Sequence, residues 1–161
     1  MEAIVVVEGI SDKRQSWDEF FIDLAWHIAT RSKDPSTKVG AIIIGPNHDI
    51  RATGYNGFPR KVNDDPVRYA DRELKLKLTI HAEINAIINA ARHGVGVADC
   101  IMYCTMPPCS SCSTAIIQAG ITELVVPTLV TVERWQRDLD IARTMFKEAS
   151  VVIRLPHNSE V

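Results

Sequence analysis

Residues 81–112 open with His81-Ala82-Glu83 and close with Pro107-Pro108-Cys109-Ser110-Ser111-Cys112, and the fold is legible outward from these two motifs. Zinc takes imidazole nitrogen and thiolate sulfur in a four-coordinate shell, and a catalytic zinc keeps one of its positions open for water. His81, Cys109 and Cys112 supply three protein ligands, so one Zn²⁺ per chain is expected. Cys109 and Cys112 stand at i and i+3, on one face of a helical turn that Pro108 is placed to start. A helix N-terminus there favours thiolate over thiol. Taken singly, His81 reads as a core or surface histidine and the cysteines as small hydrophobes. The set, at this spacing, points to a metal.

Glu83 is too close in sequence to His81 to be a fourth ligand by helix spacing, but it is placed to face the open position, and it reads as a proton shuttle. Two thiolates cancel the formal charge of zinc, so bound water is less acidic than at an all-histidine site, where its pKa is about 7. A neighbouring carboxylate that accepts the proton compensates. Capping does not account for Glu83, because a capping box from Thr79 needs its acid at position 82, which is alanine.

Each motif opens a helix. Thr79 to His93 is expected to be the metal-bearing helix, with Ile80, Ile84, Ile87, Ile88 and Ala91 on its apolar side and Gly94 as its stop. Asn85, Asn89 and Arg92 follow a second face. Ala98 to Cys104 reads as the strand that delivers Thr105 and Met106 to the cysteine helix, which ends at Gly120. Upstream, Ser16 and Glu19 form a capping box for a helix over 16–31, whose Trp17, Phe20, Phe21, Leu24, Ala25 and Ile28 recur at core spacing. Val39–Gly45 and Ile50–Tyr55 are β-branched runs around Pro46-Asn47-His48-Asp49, an antiparallel hairpin. A strand at 123–126, an amphipathic helix at 131–149 and a strand at 151–155 complete the order. The expected fold is α/β, a three-layer αβα sandwich around a mixed sheet of about five strands, with helices on both faces. Ligands of such sheets bind where strand ends abut helix N-termini.

The two motifs together are an H-x-E…P-C-x-x-C pattern, the signature of zinc nucleobase deaminases. Arg31-Ser-Lys-Asp-Pro-Ser-Thr-Lys-Val-Gly-Ala41 and Gly54-Tyr-Asn-Gly57 also resemble segments of the deoxycytidylate (dCMP) deaminase family, and the likeness covers roughly residues 16–127. The resemblance implies the cytidine deaminase-like fold and hydrolysis of dCMP to dUMP, which feeds thymidylate synthesis. Water attacks C4 of cytosine, and Glu83 moves protons to N3 and to the departing amine, releasing ammonia. It also implies a substrate pocket that includes Lys38, Val39, Asn56 and Ala82, with Val39 against the pyrimidine. Arg31, Ser32, Ser36, Thr37 and Lys38 offer donors for a 5′-phosphate, and Asn56 offers both a donor and an acceptor to a sugar hydroxyl.

Members of that family bind a regulatory triphosphate near the Gly-Tyr-Asn-Gly turn, with dCTP activating and dTTP inhibiting. The charged segment 60–78 suits this role, with Gly57, Phe58, Asn63, Asp64 and Arg68 as candidate contacts and Mg²⁺ accompanying the triphosphate. Arg92 is a candidate for coupling subunits, and the family is usually hexameric, so a homohexamer is expected. Some members carry a second zinc in this insertion; no cysteine or histidine lies between Arg60 and Ile80. These members often have a tyrosine in the loop after the strand at 123–126, whereas Pro127 to Trp135 contains none. Arg134, Trp135 or another group takes its place, or the grip on the nucleotide differs. Rival readings are a cytidine deaminase, which usually has cysteine where His81 stands, a transfer-RNA adenosine deaminase, and a non-catalytic zinc-binding module, which has no need of Glu83.

A chain of 161 residues suits a single domain over 1–161, with 1–15 as an N-terminal arm. Eighteen Lys and Arg against 20 Asp and Glu, with no basic block, favour a small substrate over nucleic acid. No run of 18 apolar residues suggests a membrane span, and Glu2 stands where a signal peptide carries positive charge, so a cytoplasmic location is expected. Cys100 and Cys104 lie in an apolar run and read as buried filler.

Overall fold

The computed structural model describes residues 14–129 and 132–157. The arm expected over 1–15 therefore lies almost wholly outside the described residues, as does Thr131. Strands β1 (Gly40–Ile44) and β2 (Ile50–Tyr55) form the hairpin, turned by His48 in a left-handed conformation and closed by Gly45 N–H to Asp49 O at 2.8 Å. β3 (Ile101–Cys104) pairs antiparallel with β1, and β4 (Glu123–Val125) and β5 (Val152–Arg154) continue the sheet in parallel. The order β2-β1-β3-β4-β5 is the mixed five-stranded sheet expected.

Alternation along the buried strand β1 separates two cores. Ile42 and Ile44 face helix α1 (Trp17–Ala29), whose Phe21, Ile22 and Ala25 pack there with Tyr103. Ala41 and Ile43 face the opposite layer, where Ile116, Ala142 and Phe146 pack with Met102 and Leu124. That layer is made by α4 (Ala82–Arg92), α5 (Ser110–Gln118) and α6 (Glu133–Glu148). Two short helices, α2 (Pro66–Ala70) and α3 (Arg72–Leu78), occupy the charged segment between β2 and α4. The Ser16–Glu19 capping box is present in both directions.

Several expectations are corrected. The metal-bearing helix begins at Ala82, not Thr79, because Ile80 is drawn into a β-bridge with Gly57, exchanging N–H···O bonds of 2.8 and 3.1 Å. Its fully buried face is Ala82, Glu83, Ala86 and Ala90; of the isoleucines expected there, Ile84 and Ile87 are half-buried, Ile87 against the core, and Ile88 is exposed. The reason is Gly54 on β2: a Cβ there would lie 2.2 Å from Ala82 O and 2.4 Å from Ala86 N. Backbone meets backbone, so only small residues fit the contact. Trp17 and Phe20 are half exposed rather than core, with the Trp17 ring stacked on His48. β3 starts at Ile101 because Asp99 takes a left-handed turn. Neither Gly54 nor Gly57 has positive φ, so close approach, not turning, explains Gly54.

Candidate metal and catalytic site

The start of β1, the ends of β2 and β3 and the N-termini of α4 and α5 converge at one end of the sheet. Gly40 pairs with Tyr55, and Thr105 extends β3 beyond its last strand residue, accepting from Gly40 N–H through its hydroxyl at 3.1 Å and donating its own N–H to Gly40 O at 3.0 Å. Buried Thr105 thereby fixes where the Pro107-Pro108-Cys109 turn begins. His81 is the N-cap residue of α4 and Cys109 that of α5, both with extended backbone. Cys109 Sγ accepts from Cys112 N–H at 3.5 Å.

These caps place His81 Nδ1 at 3.4 Å from both Cys109 Sγ and Cys112 Sγ. A tetrahedral shell with Zn–S of about 2.3 Å and Zn–N of about 2.0 Å separates N from S by roughly 3.5 Å. The donor set and its spacing fit zinc. Among the described residues, this is the only group of three such ligating side chains whose donor atoms lie together, all within 4.8 Å. Without a metal, the Cys109 thiol is lowered to about 4, first by the hydrogen bond with Cys112 and further by His81, against burial. The same sulfur–sulfur hydrogen bond, with burial, pushes the Cys112 thiol up. A cation held between the two sulfurs would favour the thiolate form of both. His81 is raised, chiefly by its hydrogen bond with Cys109.

Glu83 is only 4% exposed, in the first turn of α4, and can hydrogen-bond Cys112. Burial raises its carboxyl pKa; its own backbone N–H and His81 oppose the rise, and the Cys109 charge adds to it. A carboxyl moved towards neutrality inside a helix start is suited to accept and return a proton. Cys100 and Cys104 are buried free thiols, as expected.

Asn56 is buried just past the end of β2: its Oδ1 accepts from Val39 N–H at 2.8 Å and its Nδ2 donates to Thr37 O at 2.9 Å. One amide hydrogen and one lone pair remain for a ligand. Val39 packs against the core cluster that includes Ala82 and Cys104. Ala82 buries its methyl, and no side chain caps α4 at its start. Lys38 and Arg31 are exposed, whereas Ser32 is buried and the N–H groups of Ser36 and Thr37 are bound by Asp34.

The structure knits four of the five candidate regulatory residues into one unit. Phe58 stacks on Tyr69 at 4.3 Å, Tyr69 donates to Asp64 at 2.6 Å, and Arg68 donates to Asn63 O at 3.1 Å. Gly57 holds the bridge to Ile80. Arg92 is exposed in the last turn of α4, remote from these contacts in sequence. Its neighbours Asn85 and Asn89, expected only to share its face, donate to Tyr55 O and Thr53 O at 2.8 Å and occupy carbonyls of the edge strand.

One residue at the metal site had no signal in the sequence. Asp138 of α6 receives Ser110 N–H at 2.8 Å and Ser110 Oγ–H at 2.6 Å, so its carboxylate clamps the first turn of the cysteine helix between the two ligands. It reads in sequence as one more polar residue of an amphipathic helix.

Residues 15–128 match the family described as the cytidine and deoxycytidylate deaminase zinc-binding region. Deoxycytidylate deaminase of Mus musculus is 38% identical over 150 residues, covering 89% of this chain and 81% of that protein. Deoxycytidylate deaminase of Homo sapiens is 40% identical over 119 residues, covering 71% of this chain and 66% of that protein. The crystal structure of dCMP deaminase from the cyanophage S-TIM5, in apo form, superposes with a TM-score of 0.66 at 23% identity, over 86% of this chain and 95% of that one. At that identity the superposition establishes the fold.

Proposed function

The chain belongs to the cytidine and deoxycytidylate deaminase zinc-binding family, and from this premise we propose that it hydrolyses dCMP to dUMP and ammonia. The observation that carries the reading is buried Glu83 beside the His81, Cys109 and Cys112 cluster. Zinc held by those three residues would supply a Lewis acid that makes water nucleophilic at neutral pH. Glu83 takes a proton from the water that attacks C4, delivers it to N3, and then moves a proton to the departing amine. Atoms balance as cytosine plus water to uracil plus ammonia.

The substrate assignment draws on the mouse and human relatives named as deoxycytidylate deaminases. Val39 walls the base, Asn56 offers its remaining donor and acceptor to the sugar, and Ala82 offers its backbone N–H at the uncapped start of α4. Lys38 and Arg31, both exposed, take the 5′-phosphate. We extend the reading to a cytoplasmic homohexamer that supplies dUMP for thymidylate synthesis, with Arg92 linking subunits. The unit at Phe58, Asn63, Asp64 and Arg68, with Gly57 beside it in sequence, would take dCTP as activator or dTTP as inhibitor, with Mg²⁺.

The test is the initial rate of ammonia release from dCMP, with cytidine, CMP and dCTP in parallel, for the unaltered protein and Glu83→Gln. The variant should retain one zinc and lose activity by at least about 10²-fold. Full activity in Glu83→Gln would refute the mechanism, and equal turnover of cytidine would refute the monophosphate assignment.

A further inference from the structure

The charged segment and the loop of residues 32–39 are joined by one nearly buried contact. Lys75, on α3, places Nζ at 3.2 Å from Asp34 Oδ1 and 3.1 Å from Ser36 Oγ. Its side chain is 13% exposed and that of Asp34 only 5%. The same carboxylate oxygen accepts the N–H groups of Ser36 at 2.7 Å and Thr37 at 3.1 Å, which folds the loop back on itself. Thr37 O is in turn held by Asn56, whose other amide end holds Val39 N–H. A continuous line of hydrogen bonds thus runs from α3 to the residue that begins the pocket wall.

Magnitudes single out Lys75 within this contact. The second tie between the same segments, Lys33 Nζ to Asp64 at 2.7 Å, is 68% exposed on the lysine side, and such surface pairs contribute little. A buried carboxylate is different, because removing its cation leaves charge that only two backbone donors then share. The N–H groups of Ser36 and Thr37 are spent on Asp34 and that of Val39 on Asn56, so the shape these bonds impose on the loop determines where exposed Lys38 stands.

We propose that Lys75 is a positioning residue for the substrate: through Asp34 it fixes the loop of residues 32–39 and so sets affinity for the nucleotide monophosphate without touching it. This rests on the dCMP reading above. α3 thereby acts on the pocket by binding geometry, and the chemistry at Glu83 is left unaltered.

The test compares the unaltered protein, Lys75→Met, which keeps the stem and removes the charge, and Lys75→Arg. Expected for Lys75→Met is a rise of about tenfold in KM for dCMP, the size of one lost charged hydrogen bond. kcat and zinc content should stay unchanged, and the amides of Ser36, Thr37 and Val39 should exchange hydrogen faster in the ligand-free protein. Lys75→Arg should recover most of the KM. Unchanged KM with a lowered melting temperature would overturn the proposal, as would a fall in kcat accompanied by zinc loss, or unaltered amide exchange. If the unaltered protein does not deaminate dCMP at all, the functional reading fails instead, and the exchange data separate the two failures.

Discussion

Replacing Gly54 with alanine adds one methyl group at the closest approach between sheet and helix, and its effect is calculable from the contact. The new Cβ would stand 2.2 Å from Ala82 O, 2.4 Å from Ala86 N and 3.0 Å from Ala86 Cα. All three atoms are backbone and cannot rotate away. Restoring ordinary van der Waals separation requires α4 to retreat from β2 by about 1 Å. Overpacking of this kind costs about 1–3 kcal/mol, and at this chain length each kcal/mol lowers the melting temperature by roughly 2–4 °C. Catalysis should suffer along with stability. Ala82 is flanked by His81 and Glu83, so the retreat carries a ligand and the proton shuttle with it, and misplacement by about 1 Å costs on the order of 10²-fold in rate. The assay is kcat for ammonia release from dCMP, with zinc content and a thermal melt on the same preparation. Gly96→Ala is the control, since a Cβ there meets nothing within 4 Å. Wild-type activity and melting temperature in Gly54→Ala would refute the argument that this glycine sets the position of α4.

Asp138→Asn keeps the shape of the clamp on Ser110 and removes its charge, so zinc affinity, read by competition with a chelator, should fall by about 10- to 100-fold, as for other groups that orient metal ligands; unchanged affinity would reduce Asp138 to an ordinary helix cap. Acid should unfold the protein through Asp18 among other groups. Burial alone would raise its pKa, but hydrogen bonds from Arg154, His157 N–H and Tyr103 reverse this and hold it low. A depressed carboxylate contributes stability that is full above its unfolded pKa of about 3.9 and is lost as pH falls through the folded value. Urea midpoints should therefore drop below pH of about 4, and Asp18→Asn should be less stable at neutral pH with a flatter acid limb; parallel acid limbs would remove Asp18 from the account.

What the sequence disclosed follows from locality. The Ser16–Glu19 box, the β1–β2 hairpin and the cysteine turn are written in residues a few positions apart. His81, Cys109 and Cys112 were legible across a greater distance because few residue types can ligate zinc. Other features depend on partners the sequence does not adjoin. Bulk points to isoleucine as the innermost face of α4, whereas the close approach of Gly54 favours the alanines Ala82 and Ala86 there and leaves Ile84 and Ile87 half-buried beside them. The start of α4 was misplaced because Gly57 claims Ile80. Asp138 and Lys75 look like any charged helix residue, and only the packing of α6 on α5, and of α3 on the 32–37 loop, gives them partners.

The Asp18 cluster also bears on the order in which the molecule can assemble. Its guanidinium partner, Arg154, lies 136 residues further along the chain, and Ser16 Oγ–H reaches His157 O at 2.9 Å. During synthesis α1 is made before β5, carrying a carboxylate whose partner does not yet exist. The sheet's final strand, once made, closes a ring of contacts between the first and last described segments. Fraying at either end would release partners at the other, so the two ends should lose hydrogen-exchange protection together rather than separately.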